Sequence, residues 1–216
     1  MMGNRLNFNQ CTLPLLDKSF GLRLAMELPA LEQWFERGQQ ITLTEIDHIR
    51  LIDLQDLLLI NANNWNEQEL SLHFIGPLFS MIKFSELYRY NLFAQRYIEA
   101  QVQDYLLVGE PDELIASGYY APEIPYFAFA EYKRQRDPNG DPAGQALAAM
   151  LVGQTLNANQ APVYGSYVIG RDWYFMVLSD HQYAISKGHN ALQFDELADI
   201  FRILKALKGI IIELTA

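Results

Sequence analysis

The chain has 216 residues and a formal net charge of −10, with 50% hydrophobic and 19% charged residues. A chain of this length and composition buries roughly 70% of its unfolded surface without cross-links, which excludes a disordered protein, and its acidity argues against one that coats nucleic acid by charge alone. The single cysteine, Cys11, excludes an internal disulfide and a thiolate metal cluster, and fits a reducing, cytoplasmic setting.

In chain order, the polar start from Met1 to Gln10 lacks the basic head and apolar run of a signal peptide. No window reaches the ~18 apolar residues of a membrane span, and no repeat or low-complexity tract is present. The first sixty residues read as helices. Leu13 to Leu28 is apolar around Gly21, and Pro29 suits the first helical position before Ala30 to Arg37. Thr44 with Asp47 three positions on opens a further run. There Ile46, Ile49, Leu51, Ile52, Leu54, Leu57 and Leu58 alternate with Glu45, Asp47, Asp53 and Asp56, which predicts a helix packed on the protein's own core rather than a partner or membrane helix. Another helix should begin near Asn66, pass Phe74 and end or kink at Pro77, before the apolar Leu78 to Phe84.

The period then changes to two. Leu92, Ala94, Arg96, Ile98, Ala100 and Val102 alternate with more polar neighbours, and Tyr105 to Val108, Leu114 to Ser117 and Pro125 to Lys133 follow as a meander of strands. Asp141 and Pro142 form an N-cap and N1 pair opening a helix through Leu156, whose Ala148 and Ala149 permit close contact with a sheet. Val163 to Ile169 and Trp173 to Leu178 read as two strands separated by Gly170, Arg171 and Asp172, and Asp195 opens a last helix toward Lys208. The expected fold class is mixed α/β, or α+β, with residues 1–64 a helical extension packed on a core over 65–216. A Gly-rich phosphate loop is absent from the sequence, which argues against a nucleotide-dependent motor or a Rossmann dehydrogenase.

Alternate side chains of a strand share a face, so Phe127, Phe129, Glu131 and Lys133 are expected on one side and Tyr126, Ala128, Ala130 and Tyr132 on the other. If the strand following Asp112 pairs beside it, two carboxylates and an ammonium meet at one edge of the sheet. Two carboxylates ~5 Å apart at an effective dielectric near 20 repel by roughly 3 kcal/mol, and Lys133 offsets part of that. A hard divalent cation offsets more, because Mg²⁺ accepts one or two carboxylates, a carbonyl and waters. Such a metal would polarise a phosphate and acidify a bound water, with Lys133 orienting that water or stabilising the developing charge.

Pro111-Asp112 followed by Glu131-Tyr132-Lys133 resembles the signature of the PD-(D/E)XK nucleases, the restriction-endonuclease-like superfamily. The likeness covers roughly residues 65 to 180. It implies an αβββαβ core with a mixed central sheet flanked by helices, and an endonuclease dependent on Mg²⁺ or Mn²⁺ that acts on DNA ahead of RNA. By the same likeness Asp112, Glu131, the Tyr132 carbonyl and Glu67 are metal ligands, with Glu69 the second candidate on that helix. Asp112, Glu131, Lys133 and Gln145 form the catalytic set, Gln145 as a positioning group. The stretch from Asn66 to Leu78 is also similar to the first core helix of type I restriction-enzyme nuclease domains. The runs from Glu131 through Gln145 and from Tyr167 to Phe175 are similar to a group of uncharacterised bacterial proteins, which supplies no established activity. A homodimer fits double-strand cleavage. The rival reading is a non-catalytic binding or assembly module that retains the nuclease fold.

The basic surface usual in restriction enzymes is reduced here to Lys133, Arg134 and Arg136. Tyr119, Tyr120, Tyr126 and Tyr132 are read as core or interface residues rather than a base-stacking platform. His48, His73, His181 and His189 show no metal-ligand spacing and are expected at the surface or in hydrogen bonds. No serine lies in Gly-x-Ser-x-Gly, and Cys11 lacks a nucleophile motif.

Overall fold

The computed structural model describes residues 4–136, 138–158 and 161–215, so Met1, Met2 and Gly3 of the polar start lie outside the described residues. The chain opens with β1 (Asn4–Asn7), a 3-10 turn (Phe8–Gln10), α1 (Leu13–Phe20), β2 (Arg23–Leu24), α2 (Pro29–Gln39) and α3 (Glu45–Asn61). A broken helix follows as α4 (Glu67–Leu70), a π turn (Ser71–Ile75) and α5 (Gly76–Ile82). Then come β3 (Asn91–Ala94), β4 (Ile98–Val102), β5 (Tyr105–Gly109), β6 (Glu113–Ser117) and β7 (Glu123–Lys133). The chain ends with α6 (Pro142–Leu156), β8 (Val163–Ile169), β9 (Asp172–Ser179), β10 (Gln182–Ile185), β11 (His189–Asn190) and α7 (Phe194–Leu214).

Among the described residues the main sheet has eight strands in the order β2-β10-β9-β8-β7-β6-β3, with β11 added on β9. The strands β3, β6 and β7 form an antiparallel meander, whereas β7 and β8 run parallel and are joined across one face by α6. The fold is therefore mixed α/β, with helices on both faces. One face carries Ala128, Ala130, Val168, Trp173 and Phe175 under α2, α5 and α7; Trp34 of α2 donates from Nε1 to the Ile203 carbonyl of α7 at 2.7 Å. The other carries Leu114, Phe129, Met176 and Leu178 under α6. Outside α6 lies a second, three-stranded sheet, β1-β5-β4. Buried between two sheets, α6 is apolar nearly all round, as a fully enclosed helix must be.

One carboxylate joins two helix starts. Asp141 accepts from the Gly144 N–H through Oδ1 and from the Leu13 N–H through Oδ2, both at 2.9 Å, satisfying orphan donors of α6 and α1. The chain passes so close here that a Cβ on Gly144 would lie 2.6 Å from Thr12 Cα. Asp141→Ala should lower stability by about 2 kcal/mol, the upper end for an N-cap, in urea denaturation. A loss no larger than that of a solvent-exposed aspartate would show the two bonds to be dispensable.

The expected Pro142 start and Leu156 end of this helix are found, as are the Pro29 start of α2 and the Thr44–Asp47 capping box of α3. Several expectations change. The Leu13 to Leu28 helix stops at Phe20, where Gly21 takes the left-handed cap at φ 70°, and Arg23–Leu24 pairs with β10 as a strand. With β1 pairing parallel to β5, the first sixty residues are thus not all helical. The break at Pro77 takes the form of the π turn: Pro77 has no N–H for the preceding turn, and the Gly76 N–H donates to the Ser71 carbonyl instead. The run from Leu92 to Val102 divides at Gln95, with φ 49°, into strands of different sheets. A bulge opposite Ile115 and Ala116 shifts β7 by one residue, so Tyr126 stacks on Phe129 while Phe127 turns to the Ala128 face. The predicted alternation therefore holds from Ala128 to Lys133 and fails at Tyr126 and Phe127. His189 is 3% exposed and packed among Phe35 and Phe175, with no hydrogen bond to Nδ1, rather than at the surface. Helix α3 buries only Leu51 and Leu58 fully, and most of its other apolar residues face water.

Candidate active site

Asp112 stands where the chain re-enters the main sheet. After Gln95 the β4–β5 hairpin departs for the small sheet, and the Gln95 N–H donates to the Asp112 carbonyl at 3.0 Å, closing the excursion at its base. Glu113 pairs with Ala130, the last pair of the β6–β7 ladder, so Asp112 lies just beyond it, close enough to Glu131 for the two carboxyls to act on each other. The Asp112 carboxylate accepts from the Tyr132 N–H at 2.7 Å. Lys133 donates from Nζ to Glu131 Oε1 at 2.6 Å, and both residues are 8% exposed. Because a residue's N–H and C=O face the same neighbouring strand, the Tyr132 carbonyl shares the Asp112 side.

Glu67 is brought to the same place. Asn66 and Glu69 exchange hydrogen bonds in a capping box, which ties Glu69 to the start of α4. Glu67 instead lines a cleft of about 500 Å³ with Asp112 and Tyr132, walled by Gln68, Ser71 and Gln95 among others. Gln145 is buried in the first turn of α6 with its amide against Gly140. Among the described residues no hydrogen bond links that amide to Glu131 or Lys133. Tyr126 and Tyr132 are buried, whereas Tyr119 and Tyr120 are exposed.

The electrostatics follow from burial and crowding. Burial, with Asp112 alongside, pushes Glu131 up to about 7 against the pull of Lys133. Burial also raises Asp112; the Tyr132 N–H and Lys133 oppose the rise and Glu67 adds to it. For Lys133 burial acts downward, but Glu131, Glu67 and Asp112 outweigh it and hold the ammonium above its usual value. Three carboxyls thus share one ammonium. On the opposite face of the strand pair, Glu113 is pushed up to about 7, mainly by burial. Its Oε2 and the Tyr132 hydroxyl each lack a hydrogen bond of good geometry, although the two groups act on each other electrostatically.

Sequence reasoning left out Glu113 and Gln95. Glu113 adjoins the acid that was singled out, and strand alternation sends it to the other face. Nothing local marks Gln95, whose role comes from the clamp on Asp112.

Among the described residues no three His, Cys, Asp or Glu side chains already surround one point as a metal shell. The groups crowded here, the carboxyls of Asp112, Glu131 and Glu67 with the Tyr132 carbonyl, are oxygen donors throughout, the kind that Mg²⁺ or Mn²⁺ takes with water in the remaining positions. The excess of negative charge suits a cation. No protein-family model matches the chain, and no curated protein matches it. No helix among the described residues is long and apolar enough to cross a membrane.

Proposed function

We propose that the chain is a metal-dependent nuclease of the PD-(D/E)XK kind, hydrolysing phosphodiester bonds of DNA ahead of RNA. The observation that carries this reading is the crowding of Asp112, held by the Tyr132 N–H, beside Glu131 with its bonded Lys133, and Glu67 sharing the Asp112 cleft. The helix, meander, α6 and parallel β8 give an order similar to that family's αβββαβ core, with the β4–β5 hairpin inserted. Asp112, Glu131, the Tyr132 carbonyl and Glu67 would hold Mg²⁺ or Mn²⁺, which when bound supplies Lewis acidity at the phosphate and a more acidic water.

The chain's own residues divide the remaining work. The Tyr132 N–H fixes the orientation of the Asp112 carboxyl, and Lys133 fixes Glu131. Since its surroundings keep Lys133 protonated at neutral pH, Nζ is a donor to a phosphate oxygen as charge builds there, not a base. Gln145 is left a supporting position at the start of α6.

The test pairs cleavage with metal titration. Single- and double-stranded DNA and RNA, with Mg²⁺ or Mn²⁺, should show metal-dependent cleavage that Asp112→Ala abolishes, together with saturable calorimetric binding lost in the same variant. Equal cleavage by both proteins removes the assignment. Absence of binding at millimolar metal supports the second reading, an assembly module, which the exposed apolar side of α3 favours.

A further inference from the structure

Helix α3 is apolar on two sides. Leu51 and Leu58, one heptad apart, are fully buried where the helix meets α5 and α7. Opposite them Ile46, Ile49, Ile52, Leu57, Leu59 and Ile60 stand 39–73% exposed. A helix that only covers a core needs one apolar stripe and is polar elsewhere. These side chains leave on the order of 600 Å² of apolar surface in water, the upper end of what a monomer shows and commonly functional.

The charges among them select the occupant. Glu45, Asp53 and Asp56 are exposed on the same side, and none of the three forms an ion pair among the described residues. Asp47, toward the inner side, is by contrast bonded to Lys205. Between α3 and α5 lies a cleft of about 370 Å³ lined by Leu54, Pro77, Met81, Ser80, Arg50 and Asp53. Arg50 is exposed beside the cleft too, but Glu45, Asp53 and Asp56 outnumber it on this side, so the apolar walls with acids in excess suit long aliphatic stems ending in cations. A second copy would set these acids against themselves, and they repel an anionic membrane.

We propose that this side of α3, with the cleft, docks a basic amphipathic helix of a partner protein, its apolar residues on the isoleucines and leucines and its Lys or Arg heads on Glu45, Asp53 and Asp56. The surface uses none of Asp112, Glu131, Lys133 and Glu67, so its test is separate from that of the nuclease reading.

The probe is a fluorescein-labelled synthetic helix with Leu on one face and Lys on the other, beside a twin carrying Glu for every Lys, titrated against the full chain. Anisotropy should show saturable binding of the Lys helix only. It should weaken at least about tenfold in both Ile49→Ser/Ile60→Ser and Asp53→Lys/Asp56→Lys, whose exposed positions leave the circular dichroism unchanged. No saturable binding, or equal affinity in wild type and both variants, overturns the proposal. So does a wild-type dimer in sedimentation that Ile49→Ser/Ile60→Ser dissolves, which assigns the face to a second copy. Binding to phosphatidylcholine/phosphatidylserine vesicles that is lost in that variant assigns it to a membrane.

Discussion

Lys133→Met is expected to reduce single-turnover DNA cleavage by roughly 10²–10³-fold, the cost of removing one donor to a developing oxyanion. Both proposed functions of Nζ disappear together, the hydrogen bond to the phosphate oxygen and the restraint on Glu131 Oε1. The substitution also leaves Glu131 buried without its cation, and breaking a buried pair costs about 3–5 kcal/mol. Glu131 escapes part of that by taking up a proton, since it already titrates near 7. The variant should therefore fold well at pH 6 and lose stability faster than wild type toward pH 8. Lys133→Met/Glu131→Gln separates the effects, because it should recover stability without recovering cleavage. If Lys133→Met cleaves within a few-fold of wild type, with its dichroism intact, Lys133 has no part in the chemistry.

Without divalent cations, the protein should be less stable at pH 8 than at pH 5. Glu131 and Glu113 each move from 4.5 to about 7 on folding. Between those values the folded state holds protons that the unfolded chain has released. Stability therefore falls as pH rises through the window and levels off above it. At ~1.4 kcal/mol per pH unit the slope amounts to about 3 kcal/mol for each carboxyl, and the raised Asp112 acts with the same sign. His189 acts oppositely: buried and held below its usual value, it adds stability as pH climbs toward 6.5. One imidazole does not cancel three carboxyls. Lys133, raised by its neighbours, contributes stability that is lost only in alkaline solution. Urea denaturation in EDTA should show the decline, and Glu113→Gln should flatten it by its own share without touching the proposed metal ligands. A flat or rising profile would show that these carboxyls are solvated. Millimolar Mg²⁺ should restore stability at pH 8 and do little at pH 5, because protonated carboxyls do not bind it.

Local chemistry made much of this legible in advance. Asp141-Pro142, Thr44 with Asp47 and Pro29 mark helix starts through donors and a fixed φ that depend on nearby residues alone. Glu131 and Lys133 share a face by strand period. What stayed hidden depends on distant partners. No local pattern says that the alternation from Leu92 to Val102 serves two sheets, that a bulge reverses Tyr126 and Phe127, or that the start of α1 shares a cap with α6. Helix α3 does pack on the core, through Leu51 and Leu58, but apolar content alone does not tell which of its isoleucines face outward. At the site, Asp112 and Glu131 could be brought together only conditionally, since cross-strand register is set by the whole sheet. Glu67 came through likeness rather than spacing.

The pairing of β1 with β5 and of β2 with β10 bears on how the protein can be cut. A fragment beginning at residue 65 would uncover the backbone donors and acceptors along two sheet borders and leave half of the Asp141 clasp empty. Bare borders of that kind recruit strands from other molecules, so such a truncation is a recipe for insoluble material, and a useful preparation keeps the amino-terminal twenty-odd residues attached.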